Sequence, residues 1–283
     1  MAPLVCLITG ATGGIGKALA LELVERGDKV IATGRDAEHR LADLKHDSLA
    51  VLNLDVSWSK EKINTQIQKA LEIYGEIDVL YNNAGAIWVN SIEEADDDFM
   101  NRTFDVNVFG PIRITQCVLS HFRAKKAGTI VFMGSFLAWY PIPFFAHYSA
   151  AKAALDAFVD GLQKEVNPFG IRTACIAAGG FATDLGVPRE GEAGVSEPQI
   201  TDYKLAFQEL SALMGAPRPN DVRELTGFLA RLVHDEGEYK GHKWPKRVVF
   251  GFDALKMIEG YYEELGDTLS TSRQVLESTQ GGQ

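Results

Sequence analysis

The chain has 283 residues, of which 46% are hydrophobic and 23% are charged, as is usual for a globular protein. Its formal net charge of −10 argues against a nucleic-acid-binding surface, because phosphate contacts need clustered lysine and arginine. Cys6, Cys117 and Cys175 are far apart and form no CxxC pair, so neither a zinc site nor a disulfide framework is predicted.

Short apolar runs alternate along the chain with amphipathic segments of helix length. Strands are predicted at residues 5–9, 29–33, 49–54, 77–81, 129–134, 171–177 and 247–252. Helices are predicted at residues 15–26, 63–74, 103–126, 147–165, 203–214 and 221–234. Such alternation is typical of a parallel sheet covered on both faces. We therefore predict an α/β fold with a doubly wound, seven-stranded parallel sheet in one domain over residues 1–265.

Two segments depart from this pattern. Residues 183–219 are rich in proline and glycine, which predicts an excursion or lid over a site. Residues 266–283 are polar and rich in Ser, Thr and Gln, which favours disorder.

No membrane span or targeting peptide is predicted. The sequence has no run of about 18 apolar residues. The first apolar run ends at Thr9-Gly10, too early for a secretory or transit segment. We expect a cytoplasmic protein that has no membrane partner.

A glycine-rich loop at residues 9–16 joins the first strand to the first helix. Gly10 can adopt the positive φ of a tight turn, Gly14 lets the backbone approach a pyrophosphate, and Gly16 permits close packing of helix on strand. The parallel-sheet pattern that follows favours a dinucleotide site in a Rossmann-type fold over an ordinary turn. The loop residues predicted to contact the dinucleotide are Thr9, Gly10, Thr12, Gly14, Ile15 and Gly16.

The end of the second strand favours NADP(H) over NAD(H). NAD-preferring folds place a carboxylate here to bond the ribose 2′-hydroxyl, but this chain has Gly34 followed by Arg35. A guanidinium can bind a 2′-phosphate with two parallel hydrogen bonds. Asp36 is the competing candidate, because it would read the ribose of NAD(H) instead.

Tyr148 and Lys152 lie four residues apart at the start of a predicted helix, so they share one helical face. A free phenol has a pKa of about 10. A nearby ammonium favours the phenolate, so we expect Lys152 to lower the pKa of Tyr148 and make it a workable acid and base.

The Thr-Gly-x-x-x-Gly-x-Gly spacing of the loop and the Tyr-x-x-x-Lys pair together resemble the short-chain dehydrogenase/reductase family, in its single-domain branch. The resemblance extends from residue 4 to about residue 252. It implies a catalytic tetrad composed of Asn107, Ser135, Tyr148 and Lys152. Asn107 would interrupt a helix, its carbonyl holding a water beside Lys152, and Ser135 would bond the substrate oxygen.

The same resemblance assigns further cofactor contacts. These are Asp55 and Val56 at the adenine, Asn83, Ala84 and Gly85 on the adenosine side, and Gly179 and Thr183 at the carboxamide. Ala178 departs from the family, which usually has proline there. Because proline fixes φ, we expect a more flexible turn at this position, loosened further by Gly180.

The reaction implied by the resemblance is hydride transfer between a nicotinamide and a carbonyl carbon, with Tyr148 exchanging the proton. The partners would be a small-molecule ketone or alcohol and further copies of the chain in a homodimer or homotetramer. A non-catalytic dinucleotide-binding sensor or scaffold is the alternative, although it would not need the tetrad. An epimerase or dehydratase is disfavoured, because little chain follows residue 252.

The segment between Ser135 and Tyr148 is rich in aromatic residues, which favours an apolar substrate. Packing under a lid or in a subunit interface is an equal alternative for these residues, as it is for Trp88 and Phe181. We expect His147 to have a packing role. The acidic cluster at residues 93–98 is interpreted as a helix cap, and no metal site is predicted.

Overall fold

The computed structural model describes residues 2–44, 46–183 and 197–280. Within these ranges the strands are β1 (Val5–Ile8), β2 (Lys29–Gly34), β3 (Leu49–Asn53), β4 (Val79–Asn82), β5 (Gly128–Met133), β6 (Ile171–Ala178) and β7 (Arg247–Phe250). The helices are α1 (Gly14–Glu25), α2 (Ala37–Arg40), α3 (Lys60–Tyr74), α4 (Asp97–Phe104), α5 (Gly110–Lys125), α6 (Ala146–Val166), α7 (Lys204–Gly215), α8 (Val222–Val233) and α9 (Phe252–Gln280).

The strands form one parallel sheet in the order β3-β2-β1-β4-β5-β6-β7, which confirms the predicted doubly wound fold. Leu7 of β1 pairs with Ile31 of β2 on one side and with Leu80 of β4 on the other. The central strands β1 and β4 are buried along their whole length because both faces of the sheet are covered. The strand order reverses between β1 and β4, which opens a crevice at the carboxyl ends of these strands.

Two apolar layers hold the helices on the sheet. One layer packs α1 and α8 on one face, through buried Leu19, Leu23, Leu225 and Leu229. The other packs α3, α5 and α6 on the opposite face, through buried Ile63, Ile67, Ile114, Val118 and Leu155. A third cluster joins the loop after β5 to α7 through Leu137, Phe144, Phe145, Phe207 and Leu210. This third cluster includes the buried ring of Tyr148.

The predicted lid is described only in part. Residues 184–196 lie outside the described residues, and most of the later part of the segment forms α7.

The polar tail differs from the expectation of disorder, because α9 continues through it to Gln280. Ala254 and Ile258 are buried at the root of this helix, and the Trp139 ring packs against Tyr261 and Tyr262. This packing stabilises the first part of α9, where forming the first turn has the highest entropic cost. Each later residue then extends the helix by one hydrogen bond at a lower entropic cost. The composition of the tail does not reveal this packing of the preceding residues.

Candidate active site

A cavity of about 1070 Å³ lies at the carboxyl ends of the strands, over the crevice between β1 and β4. Most of the residues predicted to bind a dinucleotide or to perform chemistry line it. They are Gly10, Thr12, Gly14, Ile15, Arg35, Asp55, Val56, Asn83, Ala84, Gly85, Ser135, Tyr148, Lys152, Gly179 and Thr183.

The glycine-rich loop is fastened to the segment after β4. Gly10 has φ +67°, and a Cβ on it would lie 2.8 Å from the Cα of Ala84. The Thr9 hydroxyl accepts hydrogen bonds from the backbone N–H groups of Asn83 and Ala84, at 3.1 and 3.0 Å. Asn83 Nδ2 donates to the Thr9 carbonyl at 2.9 Å. The two chain segments therefore form one rigid rim of the cavity.

Thr9 and Gly16, which were also predicted to contact the dinucleotide, do not line the cavity. Both are buried behind its wall. A Cβ on Gly16 would lie 2.4 Å from Asn83 Nδ2 and 2.5 Å from the Gly10 carbonyl oxygen, so this glycine serves close packing of α1 against the loop.

At the end of β2, two arginines face the cavity. Arg35 was predicted there, and Arg40 on α2 was not. Arg40 donates from Nη1 to the Thr12 hydroxyl at 2.9 Å and from Nη2 to the Thr12 carbonyl at 3.3 Å, which ties α2 to the glycine-rich loop. The one sequence signal for Arg40 is its place five residues after Arg35, and only the fold brings it back to Thr12.

Gly34 leaves no room for the carboxylate of NAD-preferring folds. A Cβ at this position would lie 2.7 Å from Thr12 Cγ2, and Thr12 is held by Arg40. Asp36 does not line the cavity, and its Oδ2 lies 3.5 Å from His39 Nδ1. The acidic competitor is therefore directed toward α2.

At the opposite end of the cavity, Tyr148 and Lys152 lie on the first turns of α6 and are both 4% exposed. Ser135, which follows β5, is hydrogen-bonded to the Tyr148 hydroxyl. Lys152 Nζ donates to the Met133 carbonyl at 2.8 Å and lies 5.6 Å from the centre of the Tyr148 ring. The ammonium is therefore directed to the end of β5.

This arrangement corrects the expectation that Lys152 lowers the pKa of Tyr148. Burial raises the pKa of the Tyr148 phenol well above its usual value, and the hydrogen bond with Ser135 offsets this only in part. Burial also lowers the pKa of Lys152, to about 8. Desolvation disfavours the charged form of each group and is the largest cause of both shifts.

Asn107 lies in a π-helical turn, Asp105–Phe109, between α4 and α5, where a helix interruption was predicted. Its Nδ2 donates to the Ala86 and Thr103 carbonyls, both at 2.9 Å, and its Oδ1 accepts from the Ala86 N–H at 3.2 Å. Asn107 does not line the cavity. A Cβ on Gly85 would lie 3.1 Å from Asn107 Oδ1 and 3.6 Å from Lys152 Nζ, so both side chains come close to Gly85.

Some residues of the aromatic segment after β5 face the cavity, and others pack inside the protein. Phe136, Leu137, Ile142 and Phe145 line the cavity, as do Trp88 and Phe181. Phe144 instead packs edge-on against Tyr203 and Phe207, and Trp139 packs on α9. Further apolar wall comes from residues that the sequence analysis did not single out, namely Leu213, Met214, Pro217 and Met257.

The acidic cluster at residues 93–98, His147 and the cysteines have structural surroundings that explain them. Asp96 caps α4 by accepting from the Phe99 N–H at 2.7 Å, and Glu94 accepts from the N–H groups of Gln199 and Ile200. His147 packs edge-on against Phe99. The three cysteines are buried free thiols.

The described residues contain neither a cluster suited to a metal ion nor a helix suited to span a membrane. No group of three or more His, Cys, Asp or Glu side chains is placed to hold a metal ion there. In the same ranges, no helix combines the length and the apolar character needed to cross a membrane.

Comparison with known proteins places these features in context. The family model described as short chain dehydrogenase matches residues 4–192. The chain is 37% identical to the NADPH-dependent 1-acyldihydroxyacetone phosphate reductase of Saccharomyces cerevisiae, over 82% of this chain and 77% of that one. It is 30% identical to the 3-oxoacyl-(acyl-carrier-protein) reductase FabG of Salmonella typhimurium, over 83% and 91%. A crystal structure of a short-chain dehydrogenase from Streptomyces avermitilis superimposes with a TM-score of 0.86 at 32% identity, covering 98% of both chains.

Proposed function

Because this chain belongs to the short-chain dehydrogenase family, we propose that it is an NADP(H)-dependent oxidoreductase that interconverts an apolar ketone and its secondary alcohol. The observation that carries the proposal is the buried Tyr148 phenol, hydrogen-bonded to Ser135 and four residues before Lys152, in a cavity rimmed by a phosphate-binding loop. A bound nicotinamide would supply or accept the hydride.

Each residue of the catalytic end has a role that its surroundings support. The raised pKa keeps Tyr148 protonated at neutral pH, so in the reductive direction it can donate a proton to the alkoxide oxygen. Ser135 would donate its own hydrogen bond to the same oxygen and orient it. Lys152 would turn from the Met133 carbonyl toward the nicotinamide ribose hydroxyls. Asn107 Oδ1 and that ammonium both lie close to Gly85.

The residues present fit a dinucleotide. Gly14 has φ +51°, and a Cβ on it would lie 3.3 Å from the Thr183 Cβ, so the loop and the turn after β6 leave a narrow channel that a larger residue would fill. The start of α1 offers backbone N–H groups to a pyrophosphate. Asp55 and Val56 would lie against the adenine.

NADP(H) is preferred in this proposal because of charge and space. Arg35 and Arg40 face the same end of the cavity, and the packing of Gly34 against Thr12 excludes a carboxylate at the strand end. The yeast relative is named as NADPH-dependent, which agrees with this reading.

The substrate is proposed to be a ketone that carries an apolar, acyl-type chain. Phe136, Ile142, Phe145, Met214 and Met257 line the cavity and offer a wall for such a chain. The yeast and Salmonella relatives are both named as reductases of compounds that carry an acyl group.

The direct test is oxidation of NADPH and, separately, NADH by the purified protein with a panel of ketones that ranges from acetone-sized to acyl-chain compounds. We expect turnover with NADPH that improves with chain length. Tight NADPH binding without turnover of any carbonyl compound would refute the proposed oxidoreductase activity and favour a non-catalytic dinucleotide-binding sensor. A preference for NADH would refute the cofactor assignment.

Replacing both Arg35 and Arg40 with alanine should remove the preference for NADPH over NADH. In an Arg35→Ala/Arg40→Ala double variant the Kd for NADPH is expected to rise about tenfold or more for each lost charge-assisted hydrogen bond to the 2′-phosphate. The Kd for NADH should change less than about threefold, because NADH lacks that phosphate. Titration of cofactor fluorescence measures both, and Arg223→Ala, on the exposed face of α8, is the control. An equal loss for both cofactors would show that the arginines support the loop without reading the phosphate.

The activity is expected to fall at alkaline pH through Lys152. Since burial lowers the pKa of Lys152 to about 8, its ammonium is present below that pH and is lost above it. The kcat/KM for NADPH, which reports groups of the free enzyme, should therefore decrease up to tenfold per pH unit above about pH 8. Tyr148 does not cause this decrease, because its pKa is raised.

A Lys152→Arg variant provides the control, since its guanidinium stays charged throughout this range. Its kcat/KM should be lower overall but should lack the decrease above pH 8. A decrease that persists unchanged in this variant would contradict the assignment.

A further inference from the structure

The turn after β6 is held by side chains from two distant segments. Residues 178–180 read Ala-Gly-Gly, which predicts a loose turn. In the structure the Gly180 N–H donates to Asp253 Oδ2 at 2.7 Å, and the Gly180 carbonyl accepts from Asn220 Nδ2 at 2.9 Å. Asn220 Nδ2 also donates to Asp253 Oδ1 at 2.8 Å. Asp253 and Asn220 therefore bind both peptide groups of Gly180 and bind each other; we call this arrangement the Asp253 clamp.

Glycines allow the carboxylate to lie this close to the backbone. A Cβ on Gly179 would lie 2.2 Å from Asp253 Oδ1. Gly251 has φ +112°, and a Cβ there would lie 2.6 Å from the same oxygen and 2.8 Å from Asn220 Nδ2. The glycines that predict flexibility are thus the residues that make room for Asp253.

Backbone and ring contacts extend the clamp on both sides. The Gly179 N–H donates to the Phe250 carbonyl at 2.9 Å. Phe181 forms a parallel bridge with Asn220, and its ring stacks on Phe250 with centres 6.2 Å apart. The end of β6, the residue before the cap of α8 and the first turn of α9 are therefore joined at one point.

That point lies in the wall of the candidate active site. Gly179, Gly180 and Asp253 all line the cavity, and the same turn carries Thr183, which faces Gly14 across the channel. A proline would restrict this turn through φ. Here the restriction comes from two side chains that belong to other parts of the fold.

We propose that Asp253 and Asn220 are positioning residues that fix the turn after β6 and thereby orient the nicotinamide end of the cofactor for hydride transfer. The inference rests on the proposed function for its catalytic consequence. Its structural half, the ordering of the turn by the two side chains, is independent of any reaction.

The test compares Asp253→Ala, Asp253→Asn and Asn220→Ala with the unmodified protein and with Asp267→Ala, which changes an exposed aspartate on the same helix. Amide hydrogen exchange of residues 178–183 is measured first, without cofactor. We expect at least tenfold faster exchange in both alanine variants and no change in the control. Asp253→Asn should be intermediate, because its amide oxygen can still accept from Gly180 but its amide nitrogen cannot accept from Asn220.

Turnover of a ketone and NADPH affinity are then measured in the same variants. Misplacement of a reacting group by about 1 Å can cost about 100-fold in rate. We expect kcat to fall by that order in the alanine variants while the Kd for NADPH rises less than about threefold, since phosphate and ribose contacts remain.

Two outcomes would overturn the proposal: exchange that is the same in Asp253→Ala as in the unmodified protein, or faster exchange with kcat unchanged. If the unmodified protein binds NADPH but reduces no ketone, the proposed function fails by itself. The exchange comparison then still decides whether the clamp orders the turn.

Discussion

Replacing Tyr148 with phenylalanine is expected to lower the kcat for ketone reduction by about 100- to 10,000-fold, the usual contribution of a positioned general acid. In the proposed reaction the Tyr148 phenol is the proton donor, and the substitution removes only its hydroxyl group. The ring of the new side chain still packs edge-on with Phe145, whose centre lies 6.3 Å away, so the local fold should be kept. Steady-state kinetics with NADPH and an acyl-chain ketone measure the loss, and titration of NADPH fluorescence checks that the Kd is unchanged.

Tyr81→Phe is the matched control for this substitution. Tyr81 is fully buried in the sheet, and its hydroxyl donates to the Leu229 carbonyl at 3.3 Å, away from the cavity. Loss of this hydrogen bond should cost stability of about 1 kcal/mol and leave kcat unchanged. If Tyr148→Phe retains turnover within a factor of ten of the unmodified protein, the role assigned to Tyr148 is wrong.

Replacing Gly16 with alanine is expected to separate α1 from the phosphate loop. The added methyl carbon would lie 2.4 Å from Asn83 Nδ2 and 2.5 Å from the Gly10 carbonyl oxygen, so either the helix moves or the hydrogen bonds of Asn83 to the loop break. Overpacking of this kind costs about 1–3 kcal/mol of unfolding free energy. Because the loop and the start of α1 would hold the pyrophosphate, the Kd for NADPH should also rise more than about tenfold.

Gly161→Ala offers the contrasting result on another helix. Gly161 lies inside α6, and apart from the neighbouring backbone of its own helix no atom lies within 4 Å of the position of an added Cβ. Alanine should stabilise the protein here by up to about 1 kcal/mol, because its helix propensity is higher than that of glycine and the added methyl group causes no clash. Urea unfolding of both variants measures the difference. Equal effects of the two substitutions would mean that Gly16 has no special packing role.

Local features of the chain explain why much of the fold and site could be predicted from the sequence. The apolar runs at β1 and β4 and the amphipathic pattern of α3 are properties of consecutive residues, as is the four-residue spacing of Tyr148 and Lys152. Parallel strands place their following loops at one edge of a sheet. Gly10 and Ser135 follow β1 and β5 and therefore lie at the same edge of the sheet, whereas the roles of Ser135 and Tyr148 were implied by the family resemblance.

Other features depend on atoms that meet only in the folded protein. The sequence by itself determined the parallel sheet, the glycine-rich loop and the shared helical face of Tyr148 and Lys152, because periodicity and spacing act over a few residues. Only the tertiary structure decided that Arg40 returns to Thr12, that burial raises the pKa of Tyr148 against the expected effect of Lys152, and that Asp253 holds Gly180. Desolvation and long-range hydrogen bonds depend on which segments become neighbours, and folding alone establishes those neighbours.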